Sequence, residues 1–346
     1  MKYRTLDLWR AVAALAVVVF HCTNTSVSPE MGWWARALLA GWFGVFIFFP
    51  ISGYCIFAAV SRRENASVGA FLRRRWFRIA PPYWTSMALA VGLAVAALPF
   101  NHQTLVEYHV GPAIWLSAIT LTQGFTTHAG VVNPVYWSLC YEEQFYLVMA
   151  LTLVVSARRR LDLLLGVTVA AVLYVTGAWP ASLTVTGLFL KYWTAFASGL
   201  AAFAWLNLPG SRRWAAAVLV LTGIAAVKTA DPGLLVSLAA AVVFIALKPF
   251  DEALASTRVG AALIRVGLFS YSLYLIHVPL GGRVVNLFRR FDTIWLLPSL
   301  LGIIASVVGA WAFYRLVERH FLNSVRVPTE TTHRIDARDA PARSAV

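Results

Sequence analysis

Long apolar runs, each closed by charge or by Gly and Pro, follow one another along most of the chain. They cover residues 6–22, 37–60, 82–100, 135–155, 162–178 and 185–205, then 214–228, 233–248, 264–286 and 294–317. An α-helix rises about 1.5 Å per residue, so about 20 apolar residues cross the hydrocarbon core of a bilayer. The pattern predicts an all-α integral membrane protein with about ten transmembrane helices. The seventh and eighth runs are short, and a single re-entrant hairpin is the alternative there. Residues 111–125 are apolar but too few to span, and read as an interfacial segment within a long loop. The chain thus divides into a membrane domain, residues 1–322, and a tail, residues 323–346, whose Arg, Thr, Ala and Asp predict disorder on the cytoplasmic side.

Composition narrows the class. Of 346 residues, 60% are hydrophobic and 13% charged, against about 45–50% and about 25% in soluble domains. A disordered chain, a disulfide scaffold and an ordinary soluble enzyme are excluded. A net charge of +14 would suggest nucleic acid, but its distribution says otherwise. With the N-terminus in the cytoplasm, the inner segments and the tail hold 23 of the 29 Lys and Arg, as the positive-inside rule requires. Both termini are then cytoplasmic, and no nucleic-acid partner is implied. Outside lie Arg36, Lys191, Lys228, Arg283, Arg289 and Arg290. The last three attract either an anionic acceptor or lipid headgroups. Lys2 and Arg4 before an apolar run resemble a signal peptide. Arg10 and His21 interrupt that run and no small-residue cleavage site follows, so it is read as a mature helix. Cys22, Cys55 and Cys140 form no disulfide or metal framework, and no metal is predicted.

Ionisable groups at membrane depth are costly and need a reason. Arg10 and His21 are 11 residues apart in the first span, on one helix face and about 16 Å apart along its axis. Asp7 lies one turn before Arg10 and can pair with it. A topogenic Arg and an end-capping His are the bland alternative. In the fourth span, Glu142 and Glu143 open a run that continues Gln144-Phe145-Tyr146-Leu147-Val148-Met149. Adjacent residues diverge by about 100°, so one can face a cavity while the other stays wet. Acidity favoured by the helix dipole is the alternative. In the ninth span Ser270-Tyr271-Ser272-Leu273-Tyr274-Leu275-Ile276-His277 carries a His past mid-membrane; a packed, hydrogen-bonded His is the alternative. Spacing and topology place His21, Glu142 and His277 at one depth in the outer half and predict a shared polar cavity. Arg73-Arg74-Arg75-Trp76-Phe77-Arg78, read as a cytoplasmic loop, is denser in Arg than topology needs. It suits either a phosphorylated cofactor or anionic lipid.

Together these segments resemble the acyltransferase-3 family of integral membrane acyltransferases, in order and over nearly the whole chain. Asp7-Leu8-Trp9-Arg10 followed by His21 fits an Arg-x10-His signature. Phe48-Phe49-Pro50-Ile51-Ser52-Gly53-Tyr54 is similar to Phe-Phe-x-Leu-Ser-Gly-Phe, with mild departures at Pro50 and Ile51. Arg74-Arg75-Trp76-Phe77-Arg78 matches Arg-Arg-x-x-Arg. Trp137-Ser138-Leu139 through Glu142 to Phe145-Tyr146, then Tyr271 to His277, and Glu318 complete the set.

The resemblance implies an O-acyltransferase in the cell (inner) membrane. It would move an acyl group, most simply acetyl, from acyl-CoA to a hydroxyl of a surface polysaccharide, a lipid-linked sugar or another glycosylated acceptor. It places the nucleotide end of coenzyme A at Arg74, Arg75 and Arg78, the pantetheine arm beside Arg10, and the acceptor on the outer side near Glu142. His21 is then the general base, or carries a transient acyl group, with direct transfer favoured because no Ser or Cys nucleophile is paired with a base. Glu142 holds the His21 imidazole or binds the acceptor, and Ser52, Tyr274 or His277 stabilises the oxyanion. Many relatives carry an esterase-like domain after the last span; the short tail here predicts none. A proton-coupled transporter using the same His, Glu and Arg is the competing class. Repeat symmetry between two halves would favour it, and none is visible.

Overall fold

The computed structural model describes residues 3–61, 67–99, 111–126, 132–291 and 294–324, except the side chains of residues 157 and 158. The predicted inner arginines Arg62 and Arg63, and the tail from residue 325, lie outside the described residues. Among the described residues the fold is helical, without a strand. In chain order the helices are α1 (Thr5–Thr23), α2 (Trp33–Leu39), α3 (Gly44–Val60), α4 (Val68–Ala96), α5 (Pro112–Ile119) and α6 (Trp137–Leu151). Next come α7 (Ala157–Val175), α8 (Leu190–Asn207), α9 (Arg212–Thr229), α10 (Pro232–Leu247) and α11 (Asp251–Ser256). α12 (Arg258–Gly267), α13 (Ser270–Ile276), α14 (Arg283–Phe288), α15 (Leu296–Phe313) and α16 (Arg319–Ser324) follow.

One late helix, α15, turns mainly small and polar residues inward and large apolar residues outward. On α15 the buried face is Pro298, Ser299, Gly302, Ser306, Ala310 and Phe313. Its outer stripe, Leu300, Ile304 and Val308, is 47%, 57% and 60% exposed. Water would penalise that arrangement, whereas lipid requires it. Small residues let helix backbones meet where lipid leaves no hydrophobic drive between helices. A side chain on Gly53 of α3 would collide with the Phe196 carbonyl of α8, and one on Gly199 of α8 with the Pro50 carbonyl of α3.

Five segments are long and apolar enough to cross a membrane: Thr5–Thr23, Trp33–Val60, Val68–Ala96, Pro232–Ser256 and Leu296–Leu322. A sixth forms if Arg258–Gly267 and Ser270–Phe291, bent by 59°, count as one broken span. The ten predicted runs thus reduce to five or six by this measure. The shortfall has local causes. α6 has only 15 residues, α7 opens with Arg158-Arg159-Arg160, α8 includes Lys191, and α9 holds Arg212, Arg213 and Lys228. The short seventh and eighth runs are two separate helices, α9 and α10. They are joined through Ala230 at φ 50° and Asp231, whose side chain accepts from Gly233 N at 2.8 Å. The interfacial segment contains α5, tied to α4 where Tyr83 Oη donates to Ala118 O at 2.8 Å and Trp84 Nε1 to Ile119 O at 2.9 Å.

The arginine segment is corrected most. Residues 73–78 are helix, not loop, because Ser67 caps α4 by accepting from Ala70 N at 3.2 Å. Pro81 and Pro82 sit inside α4 without ending it. Each removes the N–H that would bond the carbonyl four residues back, that of Phe77 or Arg78, a loss that membrane helices tolerate, and side-chain hydroxyls bond other carbonyls of the same stretch. Tyr271 Oη donates to Ile79 O at 3.0 Å and Thr85 Oγ1 to Pro81 O at 2.9 Å.

α1 is central, packed on α3, α12, α13 and α15, and its first turn is fixed from a distance. Asp251 Oδ1 accepts from Thr5 N at 2.8 Å and Thr5 Oγ1 at 2.9 Å, while Oδ2 accepts from Arg4 N at 3.1 Å and Lys248 Nζ at 2.8 Å. Those N–H groups have no partner within the helix, so the carboxylate anchors the helix that carries Arg10 and His21.

Candidate active site

Five helices enclose a narrow cavity of about 80 Å³. α1 contributes Arg10; α3 contributes Phe48, Ser52 and Cys55; α4 contributes Arg75, Arg78 and Ile79. α6 brings Ser138, Glu142 and Tyr146, and α13 brings Ser270, Tyr271 and Tyr274. Helical spacing explains each set. Ser138, Glu142 and Tyr146 are four residues apart, Arg75 and Arg78 three, and Phe48, Ser52 and Cys55 four and three, so each row lies on one face. Arg74 falls on another face of α4 and is not among the lining residues.

The polar groups are connected. Ser52 Oγ donates to Glu142 Oε1 at 2.8 Å and Tyr146 Oη to the same oxygen at 2.5 Å. Arg10 Nη1 pairs with Asp7 Oδ1 at 2.6 Å, as the spacing predicts, and Arg10 Nη2 donates to Cys55 Sγ at 3.2 Å. The Arg75 guanidinium stacks over Phe71 and Tyr146, 5.5 and 5.8 Å from the ring centroids. Its Nε–H is buried with no hydrogen-bond partner. An orphaned donor beside two further arginines is costly unless an acceptor ligand satisfies it.

Outside the cavity lining, Glu318 is buried in a π-helical turn, Tyr314–Glu318. It accepts from Ser272 N at 3.2 Å and Ser272 Oγ at 2.5 Å, which holds the start of α13 to the last helix pair.

The histidines form a second group. His21 and His277 have ring centroids 5.2 Å apart. His277 opens a π-helical turn, His277–Gly282, that contains Pro279; such turns recur at functional sites. Neither His lines the Arg–Glu cavity. Glu142 is bonded to Ser52 and Tyr146 rather than to an imidazole. The structure thus brings His21 to His277, brings Glu142 to the arginines, and separates the two groups. Tyr274 connects them: it lines the cavity, and its ring centroid lies 6.1 Å from that of His277. Its hydroxyl donates to Val135 O at 2.7 Å and is 2.6 Å from Ser138 Oγ.

Cys22 and Cys140 are buried, whereas Cys55 faces the cavity. Among the described residues no group of three or more His, Cys, Asp and Glu is placed to hold a metal. Sequence reasoning gave no role to Tyr146, Tyr271 or Cys55. The four-residue step from Glu142 to Tyr146 was a usable signal for the first of these. Of the three arginines expected on the outer side, Arg283 Nη2 reaches Ala90 O at 3.4 Å, while Arg289 and Arg290 are exposed.

A family profile described as an acyltransferase domain matches residues 3–315. The chain belongs to the acyltransferase-3 family. It is 29% identical over 344 residues to BcsY of Komagataeibacter xylinus, described as a membrane-bound transacylase, covering 92% of this chain and 82% of that protein. It is 28% identical over 157 residues to the peptidoglycan O-acetyltransferase OatA of Listeria monocytogenes, covering 42% of this chain and 23% of that one. The exopolysaccharide production protein ExoZ of Rhizobium meliloti is 32% identical over 133 residues, covering 38% of this chain and 40% of ExoZ. No solved structure matches the chain. This acyltransferase is a membrane protein, with several apolar helices of spanning length.

Proposed function

We propose that the protein is an O-acyltransferase that uses an acyl-CoA donor, most simply acetyl-CoA, and acylates a hydroxyl of a surface polysaccharide or lipid-linked sugar. The buried, unpartnered Nε–H of Arg75, in a cavity shared with Arg10 and Arg78, carries this reading. Three guanidinium groups against one cavity carboxylate suit a polyanionic phosphate donor. Arg10 and His21 are both on α1, 11 residues apart, or about 16 Å along the axis. A long donor gripped by Arg75, Arg78 and Arg10 presents its thioester near His21 at the far end. Arg74, on another face of the same helix, is left to contribute by its charge at the cytoplasmic end of that path.

In this reading His21 takes the proton of the acceptor hydroxyl as the hydroxyl oxygen attacks the thioester carbonyl, and then returns it to the departing thiolate. Tyr274, the residue common to both groups, donates to the oxyanion in exchange for its bond to Val135 O. Ser52 and Tyr146 hold Glu142 in a fixed orientation, which suits binding of acceptor hydroxyls. Support for a glycan acceptor comes from the names of OatA and ExoZ. The family, the apolar helices and the skewed distribution of Arg support a cell-membrane protein, in the inner membrane where there are two. About ten helices would cross it, counting α6, α7, α8 and α9, with both termini cytoplasmic and a membrane domain of residues 1–322 preceding the tail.

Purified protein in detergent, given acetyl-CoA and a glycan fraction, is expected to release free coenzyme A thiol. His21→Ala is expected to lower that release at least about 100-fold, the share general-base catalysis commonly supplies, while eluting as a folded monodisperse species. Equal release by folded His21→Ala would remove the mechanism, and solute accumulation without thiol release would mark a carrier instead.

A further inference from the structure

The expected carboxylate partner of His21 is engaged elsewhere, which leaves open what fixes the imidazole of the proposed base. The answer lies in the hydrogen bonding of His277. This side chain is 1% exposed. Its Nδ1 lies 3.0 Å from the carbonyl oxygen of Leu273, one turn back in the same helix. A carbonyl only accepts, so Nδ1 carries the proton and Nε2 presents a bare lone pair in the neutral ring. That Nε2 is buried with no hydrogen-bond partner. The imidazole packed against the His277 ring is that of His21, with centroids 5.2 Å apart and planes inclined by 53°. An N–H···N bond of about 3 Å between two imidazoles puts their centroids about 5 Å apart. The centroid spacing suits such a bond once the two rings are turned into line.

We propose that His277 is the positioning residue for His21, occupying the place a carboxylate holds in a catalytic triad. Its bare Nε2 accepts the N–H of one His21 nitrogen, which leaves the other His21 nitrogen as the lone pair that meets the acceptor hydroxyl. The proton that His21 takes from the hydroxyl then makes an imidazolium whose remaining N–H is charge-assisted by His277, until it passes to the thiolate leaving group. His277 is itself held by its bond to Leu273 O, by the π-helical turn it opens, and by Ser306 Oγ, which reaches the His277 carbonyl at 3.4 Å. A neutral partner also avoids burying a second charge in the membrane. The inference rests on His21 being the base.

Two substitutions separate this role from a structural one. Asn at position 277 keeps an amide N–H near Nδ1 for the Leu273 carbonyl but lacks the distal acceptor. Gln gives up that bond and can bring an oxygen near the position of Nε2. His277→Asn is expected to lower kcat about 100-fold with donor and acceptor KM within about 2-fold, and His277→Gln to recover at least about a tenth of wild-type kcat. The reverse order would mean that the Leu273 bond is what matters, and would overturn the proposal. An independent readout needs no turnover. In protein labelled with ¹⁵N-histidine, with His21 assigned by its absence in His21→Ala, NMR is expected to show one dominant His21 tautomer in the wild type and a mixture in His277→Asn. An unchanged His21 tautomer in that variant overturns the proposal whatever the activity. Failure of the parent reading shows differently, as wild-type protein that releases no coenzyme A while the tautomer result stands.

Discussion

At the scale of single residues, the decisive fact is which arginines reach the cavity. Arg74 and Arg75 are neighbours in an Arg-Arg-x-x-Arg motif and equivalent on paper, yet one residue on a helix is a rotation of about 100°. Arg75 and Arg78 line the cavity and Arg74 does not. A charge-assisted hydrogen bond is worth about 1.5–3 kcal/mol, and each 1.4 kcal/mol is tenfold in affinity. Arg75→Ala is therefore expected to raise the donor KM by at least about 10-fold, and Arg74→Ala to change it by less than about 3-fold. Steady-state kinetics over a range of acetyl-CoA concentrations checks both. Equal effects would mean that the two guanidinium groups act as a diffuse field rather than through the cavity. The pairing of Arg10 with Asp7 was legible in the sequence, because that relation is local to one helix. The partner of Glu142 was harder to see. Ser52 lies 90 residues away on α3, and the choice between an imidazole and a hydroxyl depends on how α3 and α6 are rotated about their axes.

At the scale of helices, close approach is set by glycine. Gly53 and Gly199 place α3 and α8 backbone to backbone, and each position is filled by a carbonyl of the other helix. Gly166 on α7, by contrast, has open space where a side chain would sit. Gly199→Ala is expected to destabilise the fold by about 1–3 kcal/mol through overpacking and to lower the melting temperature in detergent. Gly166→Ala is expected to be neutral or slightly stabilising, since alanine is the better helix former. Matched melting curves would contradict the packing described for α3 and α8. Apolar periodicity revealed most helices, because burial in lipid is written in the composition of each run. It missed the first 14 residues of α4, because arginine next to proline reads as a loop when the capping Ser67 and the packed neighbours are not visible. It also missed Asp251, whose carboxylate caps α1 from 246 residues away; no periodicity reports a contact of that range.

At the scale of the whole molecule, the chain sorts its charges into three places. Among the described residues most Lys and Arg sit near helix ends, three arginines line one cavity, and two histidines stand beyond it, joined through Tyr274. This arrangement was only partly legible. Charge asymmetry and the order of motifs pointed to a membrane acyltransferase, and residues 3–315 match that family. The expectation that His21, Glu142 and His277 share one cavity came from depth alone. Depth says nothing about which neighbours a helix faces, and the bundle divides them into an Arg–Glu group and a histidine pair. The functional account depends on those two groups serving one reaction, with the donor held at the arginines and its acyl group transferred at His21. The most direct measurement is mass spectrometry of surface glycans from cells lacking the gene and complemented with wild type or with His21→Ala at equal membrane abundance. The account predicts O-acetylated glycan with the wild type and none with His21→Ala. Equal O-acetylation with both proteins would contradict it.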